Sequence, residues 1–172
     1  MSGGIDGGGD ACHRVAMDID VLIEDEAWTG LEALAARACP ETLAELGLDP
    51  GDYAVSILGC DDERIAALNA EFRGKPTPTN VLSWPAAEIA LPEGGNPPMP
   101  APGELGDIAI AHGVCAREAA EQSKAFDDHV THLLVHATLH LVGFDHEHDA
   151  DAAIMENLER LILARLGVPD PY

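Results

Sequence analysis

The chain has 172 residues, 47% of them hydrophobic, with 31 acids against 9 bases and a formal net charge of −22. That length and apolar content fit one domain with a real core and exclude a disordered chain. No window approaches the roughly 20 apolar residues of a membrane helix, and so acidic a surface works against non-specific attraction to a polyanion, so any nucleic-acid role needs a local positive feature.

In chain order, residues 1–13 are glycine-rich and carry neither the basic region nor the apolar stretch of a secretory signal. They are expected to be a disordered tail before a single domain at 14–172. Without a signal, Cys12, Cys39, Cys60 and Cys115 read as reduced thiols of a cytoplasmic protein. No pair of them has the spacing of a zinc knuckle or a redox motif.

Arg14 to Glu24 alternates Val15, Met17, Ile19, Val21 and Ile23 on one face, which is a strand. Trp28 to Leu46 reads as a helix interrupted before Pro40, whose ring nitrogen has no proton to donate. Tyr53 to Leu58 is a second strand. Asp61, Asp62 and Glu63 then suit a helix start, and Ile65, Leu68 and Phe72 continue its stripe. Residues 74–79 are a turn-rich loop. Val81 to Trp84 is a short strand ended by Pro85, and 92–103 is a Pro/Gly-rich loop expected to be exposed. Leu105 to Ala111 is a strand, and 113–125, 127–142 and 150–166 read as helices.

Residues 136–146 read HATLHLVGFDH and concentrate imidazoles on an apolar segment. His136 and His140 are four apart, so they share one helix face. Gly143 suits the position just past a helix end, and a reversal there can bring His146 back to the same point. Three nitrogens match a catalytic zinc site, which keeps its fourth position open. Imidazole alone suits zinc, nickel, copper and iron alike. His132 and His136 are also four apart, so spacing alone does not select the pair; the Gly143 turn favours His136 and His140. His148, in an acidic run, reads as solvent-exposed.

A zinc peptidase of the H-E-x-x-H type needs its general base directly after the first ligand, and Ala137 stands there instead. Asp107, Asp145 and Glu147 are the nearby acids that can take a proton or orient an imidazole.

Several segments, in order, carry a resemblance. HATLHLVGFDH resembles the H-G-x-L-H-L-x-G-[YF]-D-H signature of the YbeY endoribonucleases, the bacterial rRNA maturation factors. LNAEFRGKPTPTNVLSWP at 68–85 is similar to that family's L-N-x-x-[YF]-R…T-[DN]-V-L-S-F-P segment, ELGDIAI at 104–110 to its L-G-D-I-x-I strand, and GVPDPY to the ending of some members. Ala137 for glycine and Trp84 for phenylalanine depart from the pattern without touching a proposed ligand.

The resemblance implies an α+β fold: a small mixed sheet of about four strands packed against helices, with a zinc site at the C-terminal end of a central helix. It implies one Zn2+ held by His136, His140 and His146, and Arg73 at the reacting phosphate. It also implies cleavage of single-stranded RNA in 16S rRNA 3′-end maturation and ribosome quality control, with small-subunit ribosomal proteins and assembly factors as partners. Arg73 and Lys75, with Arg14, Arg117 and Lys124, are the candidates for the local positive rim. Whether water or a 2′-hydroxyl attacks is left open by the residues. The alternative from another class is a zinc-stabilised assembly factor that binds basic ribosomal proteins without relevant nuclease activity.

Overall fold

The computed structural model describes residues 16–87, 97–146 and 148–172. The tail at 1–13 with Cys12, the rim candidate Arg14, the loop residues 92–96 and the acid Glu147 lie outside the described residues.

The alternating apolar runs form four strands: β1 (Asp18–Ile23), β2 (Tyr53–Cys60), β3 (Val81–Pro85) and β4 (Gly103–Ala111). They make one sheet in the order β1-β2-β4-β3. β1 pairs with β2, and β2 with β4, in parallel; β3 runs antiparallel to β4. Five helices complete the chain: α1 (Leu31–Glu45), α2 (Asp62–Arg73), α3 (His112–Glu121), α4 (Phe126–Val142) and α5 (Asp149–Arg165). This is the expected α+β architecture with a mixed sheet.

The period of two divides the sheet residues between two apolar layers. Val55, Ile57, Ile108 and Ile110 join the larger core with α1, α4 and α5. Cys60, Leu82, Ala109 and Ala111 join Ile65 of α2 in a smaller one. α4 is central: Val130, Leu134, Val135, Leu139, Leu141 and Val142 are all buried. It is thereby clamped along its whole length, and its last turn is delivered to the edge of the sheet beside β3.

Three expectations need correction. α1 is continuous through Pro40. Leu34, Ala35, Ala38 and Cys39 before it, and Thr42 and Leu43 after it, are all buried. The lost amide and ring clash cost about 3 kcal/mol, and burial of large apolar side chains on both sides, about 1.5–3 kcal/mol each, offsets that. The Pro/Gly-rich segment is not wholly exposed, since Pro97 is buried, and its end at Gly103 already belongs to β4. α3 stops at Glu121 rather than at 125, where Ser123 takes a positive φ of 54°.

Cys39, Cys60 and Cys115 are buried free thiols. Burial pushes Cys39 up to about 11 and Cys60 and Cys115 up to about 12, which keeps them protonated and unreactive. Among the described residues no helix is long and apolar enough to cross a membrane.

Candidate metal centre

The last turn of α4 carries His136 and His140 on one face, as their spacing requires. Gly143 then takes φ 121°, a conformation that side chains rarely adopt. Its amide and that of Phe144 close back on Leu139 O, and Phe144 is buried at 5% exposure. The buried ring pins the reversal, and the chain comes back two residues later with His146.

The three rings meet. Their centroids lie 4.5 Å apart for His136–His140, 5.1 Å for His140–His146 and 5.4 Å for His136–His146. One ligand nitrogen from each lies within 4.8 Å of the others. His136 and His140 are half-buried and His146 is exposed. His148 is exposed as expected and lines the adjacent cleft without joining the three.

Hydrogen bonds fix which nitrogen faces inward. His140 Nδ1 donates to the Phe144 carbonyl at 2.9 Å. His136 Nδ1 donates to the Glu159 carboxylate. With Nδ1 so engaged, each ring turns its Nε2 toward the other, and those two atoms stand 3.0 Å apart. A proton or a metal ion shared between two such nitrogens satisfies both. Ligand nitrogens about 2.0–2.1 Å from a tetrahedral ion sit roughly 3.3 Å from each other, so the spacing of this pair suits ligation of one ion, with His146 as a third donor within 4.8 Å. Burial, then the neighbouring His136 and His146, holds His140 down to about 4, which keeps its lone pair available at neutral pH.

Glu159 is the residue that motif reading misses. It sits on α5 with no exposed surface. Burial alone would raise its pKa, but hydrogen bonds from His132, His136 and Tyr172 outweigh that and bring it down to about 2. One carboxylate thus ties together His136, His132 Nε2 at 3.4 Å and the Tyr172 hydroxyl. A carboxylate on the far side of a ligating imidazole fixes its tautomer and raises its basicity. The signal was present in the α5 stripe, where Asp151, Met155, Glu159 and Ile162 are buried at helical spacing. A lone glutamate in an apolar stripe calls for a buried partner.

Of the described acids singled out earlier, Asp107 lies elsewhere and Asp145 lies at the site. Asp107 alternates with the core residues Ile108 and Ile110 and opens on the α2 side of the sheet, away from the histidines. Asp145 lines the cleft, and its Oδ1 accepts from the His146 amide at 2.7 Å.

Two hollows flank the histidines, a cleft of about 580 Å³ toward Pro85, Ala87 and Phe144 and an arm of about 320 Å³ toward Val81, Leu133 and Tyr172. Arg73, Ser83, His140 and His146 line both. Arg73 therefore stands at their junction, on the last turn of α2, and forms no salt bridge among the described residues. Of the other rim candidates, Arg117 is paired with Asp62 at 2.8 Å and Lys124 reaches the Pro171 carbonyl at 3.4 Å.

A family model described as endoribonuclease YbeY matches residues 20–167. The endoribonuclease YbeY of Dinoroseobacter shibae is 61% identical over 162 residues, 90% of either chain. That of a Jannaschia species is 58% identical over 160 residues, 91% of this chain and 100% of that one. The solution structure of TM1509 from Thermotoga maritima aligns with a TM-score of 0.55 over 87% of this chain and 91% of that one; at 23% identity it speaks for the fold. With 148 consecutive positions spanned by the family model, residues 20–167, the chain belongs to the endoribonuclease YbeY family.

Proposed function

We propose that this chain is a zinc-dependent, single-strand-specific endoribonuclease of 16S rRNA 3′-end maturation and ribosome quality control, working in the cytoplasm. Family membership supplies the coarse part, hydrolysis of RNA phosphodiester bonds with a metal ion. The observation that supports the metal dependence is the convergence of His136 and His140, their Nε2 atoms 3.0 Å apart, with His146 folded back onto them.

His136, His140 and His146 would hold the ion. Bound there, zinc supplies Lewis acidity and positive charge at a phosphoryl oxygen. The Phe144 carbonyl and Glu159 keep the two helix-borne rings oriented, so no reorganisation is needed when substrate arrives. Arg73 can grip two phosphate oxygens at once and stabilise the charge that builds on them. The charge of −22 also favours an unpaired strand, because a duplex brings twice the phosphates per length into the same repulsive field.

The test compares the wild type with His140→Ala and Arg73→Glu on single-stranded and duplex RNA, with zinc content measured on each preparation. Wild type should cleave single strands preferentially. His140→Ala should lose both zinc and cleavage. Arg73→Glu should keep zinc and lose at least about 100-fold in kcat, the scale of removing one preorganised charge-stabilising donor. Undiminished cleavage by metal-free His140→Ala protein sinks the proposal.

The acidic surface favours a second reading, an assembly factor that docks basic small-subunit ribosomal proteins. Metal removal separates the two. Because α4 is held by buried apolar contacts along its length, chelation should leave the far-ultraviolet circular dichroism unchanged and abolish only cleavage. Unfolding on chelation would assign the ion a structural role.

A further inference from the structure

The two hollows beside the histidines differ in their walls. The larger cleft is rimmed by Asp145, His148 and Asp151. The 320 Å³ arm has an apolar floor of Val81, Leu133 and Ala137 and one exposed aromatic wall, Tyr172. Asn80 is the one side-chain amide lining the arm among the described residues; its Nδ2 donates to Glu118 at 3.0 Å and its Oδ1 accepts from the Val81 amide at 2.6 Å.

Tyr172 is held at three points. Its hydroxyl donates to Glu159, the carboxylate that also holds His136. The Arg160 guanidinium lies 5.2 Å from the ring centroid. The His132 ring stands nearly perpendicular, at 5.7 Å. Yet the residue is 53% exposed, and it lines the arm. A tyrosine that served only to cap a buried carboxylate would bury its ring with its hydroxyl. Here the hydroxyl is inside while the residue stays exposed along the arm, held in place by these contacts.

We infer that Tyr172 is the platform on which the unpaired base beside the cleaved phosphate stacks. This rests on the RNA reading of the same site. The arm is continuous with the candidate metal centre through Arg73, Ser83, His140 and His146, so a strand gripped there by its phosphate places a neighbouring nucleoside in the arm. An apolar floor with one aromatic wall suits the face of any base, because every base has a π-face. Stacking of that kind accepts any base, so the subsite discriminates unpaired from paired bases rather than one base from another. A ring fixed in advance lowers the ordering cost of binding. A base inside a duplex stays stacked on its own neighbours, so the platform adds to single-strand preference.

The test uses zinc-loaded full-length protein with matched zinc content and short single-stranded RNAs whose cleaved bond has been mapped. Tyr172→Phe and Tyr172→Trp keep a stacking face; Tyr172→Leu does not. KM should stay within about twofold for the first two and rise about tenfold for the third, inside the range that loss of one base–aromatic stack gives. Replacing the flanking nucleotides in turn by abasic ones should cost the wild type the same factor at one position and cost Tyr172→Leu nothing there. A 2-aminopurine at that position should be quenched on binding to wild type and Tyr172→Phe, and not to Tyr172→Leu. A Phe variant as impaired as the Leu variant overturns the inference, because the hydroxyl on Glu159 would then be what matters. So does a wild type indifferent to every flanking abasic site. Failure of the wild type to cleave any RNA strikes the RNA reading instead, and is a separate result from cleavage with unchanged KM in Tyr172→Leu.

Discussion

The two halves of the candidate metal centre are built differently. His136 and His140 sit on the buried helix α4, and each has its second nitrogen tied down, one to Glu159 and one to the Phe144 carbonyl. His146 sits on the turn beyond Gly143, exposed, with no hydrogen bond to its ring among the described residues. The first half is preorganised by packing; the second is delivered by one backbone conformation. A metal should therefore draw most of its affinity from the helix pair and its geometry from the turn.

The largest effect expected from that asymmetry is on His140→Ala. It removes a ligand from the fixed half and leaves the Phe144 carbonyl without its donor. Zinc affinity should fall by about 1,000-fold or more, well beyond the 10–100-fold that a supporting partner is worth. His146→Ala removes a ligand with no such support and should cost about 100-fold, on the same competition titration against a chelator. Equal losses for the two would erase the distinction between the halves. Next comes Glu159→Gln, which keeps the shape of the side chain and a hydrogen bond but not the charge. It should weaken zinc 10–100-fold while leaving the circular dichroism intact. A neutral result there would mean that His136 is oriented by packing alone.

The same contrast explains what could be read from the residues. A ligand pair four apart on a helix, and a glycine at its end, are local patterns, so His136, His140 and the fold-back of His146 were legible. Strand alternation was legible too, and its consistent use would have sent Asp107 to the α2 side of the sheet, since Ile108 and Ile110 point into the larger core. Glu159 acts across 23 positions, from α5 to α4, and no spacing rule reaches that far. What betrays it is chemical mismatch, a carboxylate among Met155, Ile162 and Leu163 on a buried face. Continuity of α1 through Pro40 likewise depends on tertiary burial of the residues flanking it, which local propensity does not contain.

The smallest expected effect is the sharpest probe of the turn. Gly143 at φ 121° lies outside the regions open to a residue with a β-carbon, so Gly143→Ala carries about 1–3 kcal/mol of strain. Relief of that strain moves Phe144, and with it both the carbonyl that orients His140 and the start of the segment that presents His146. Zinc affinity should fall several-fold, less than for Glu159→Gln, because neither helix-borne ligand is removed. Gly74→Ala is the matched control. Gly74 also has a positive φ, 69°, and ends α2, but it meets none of the three histidines and has open space around its α-carbon. It should lose about 1 kcal/mol of stability in a denaturant melt with zinc affinity unchanged. If both glycine variants lose stability and neither loses zinc, the turn does not set the position of His146, and the imidazole finds the ion by its own side-chain freedom.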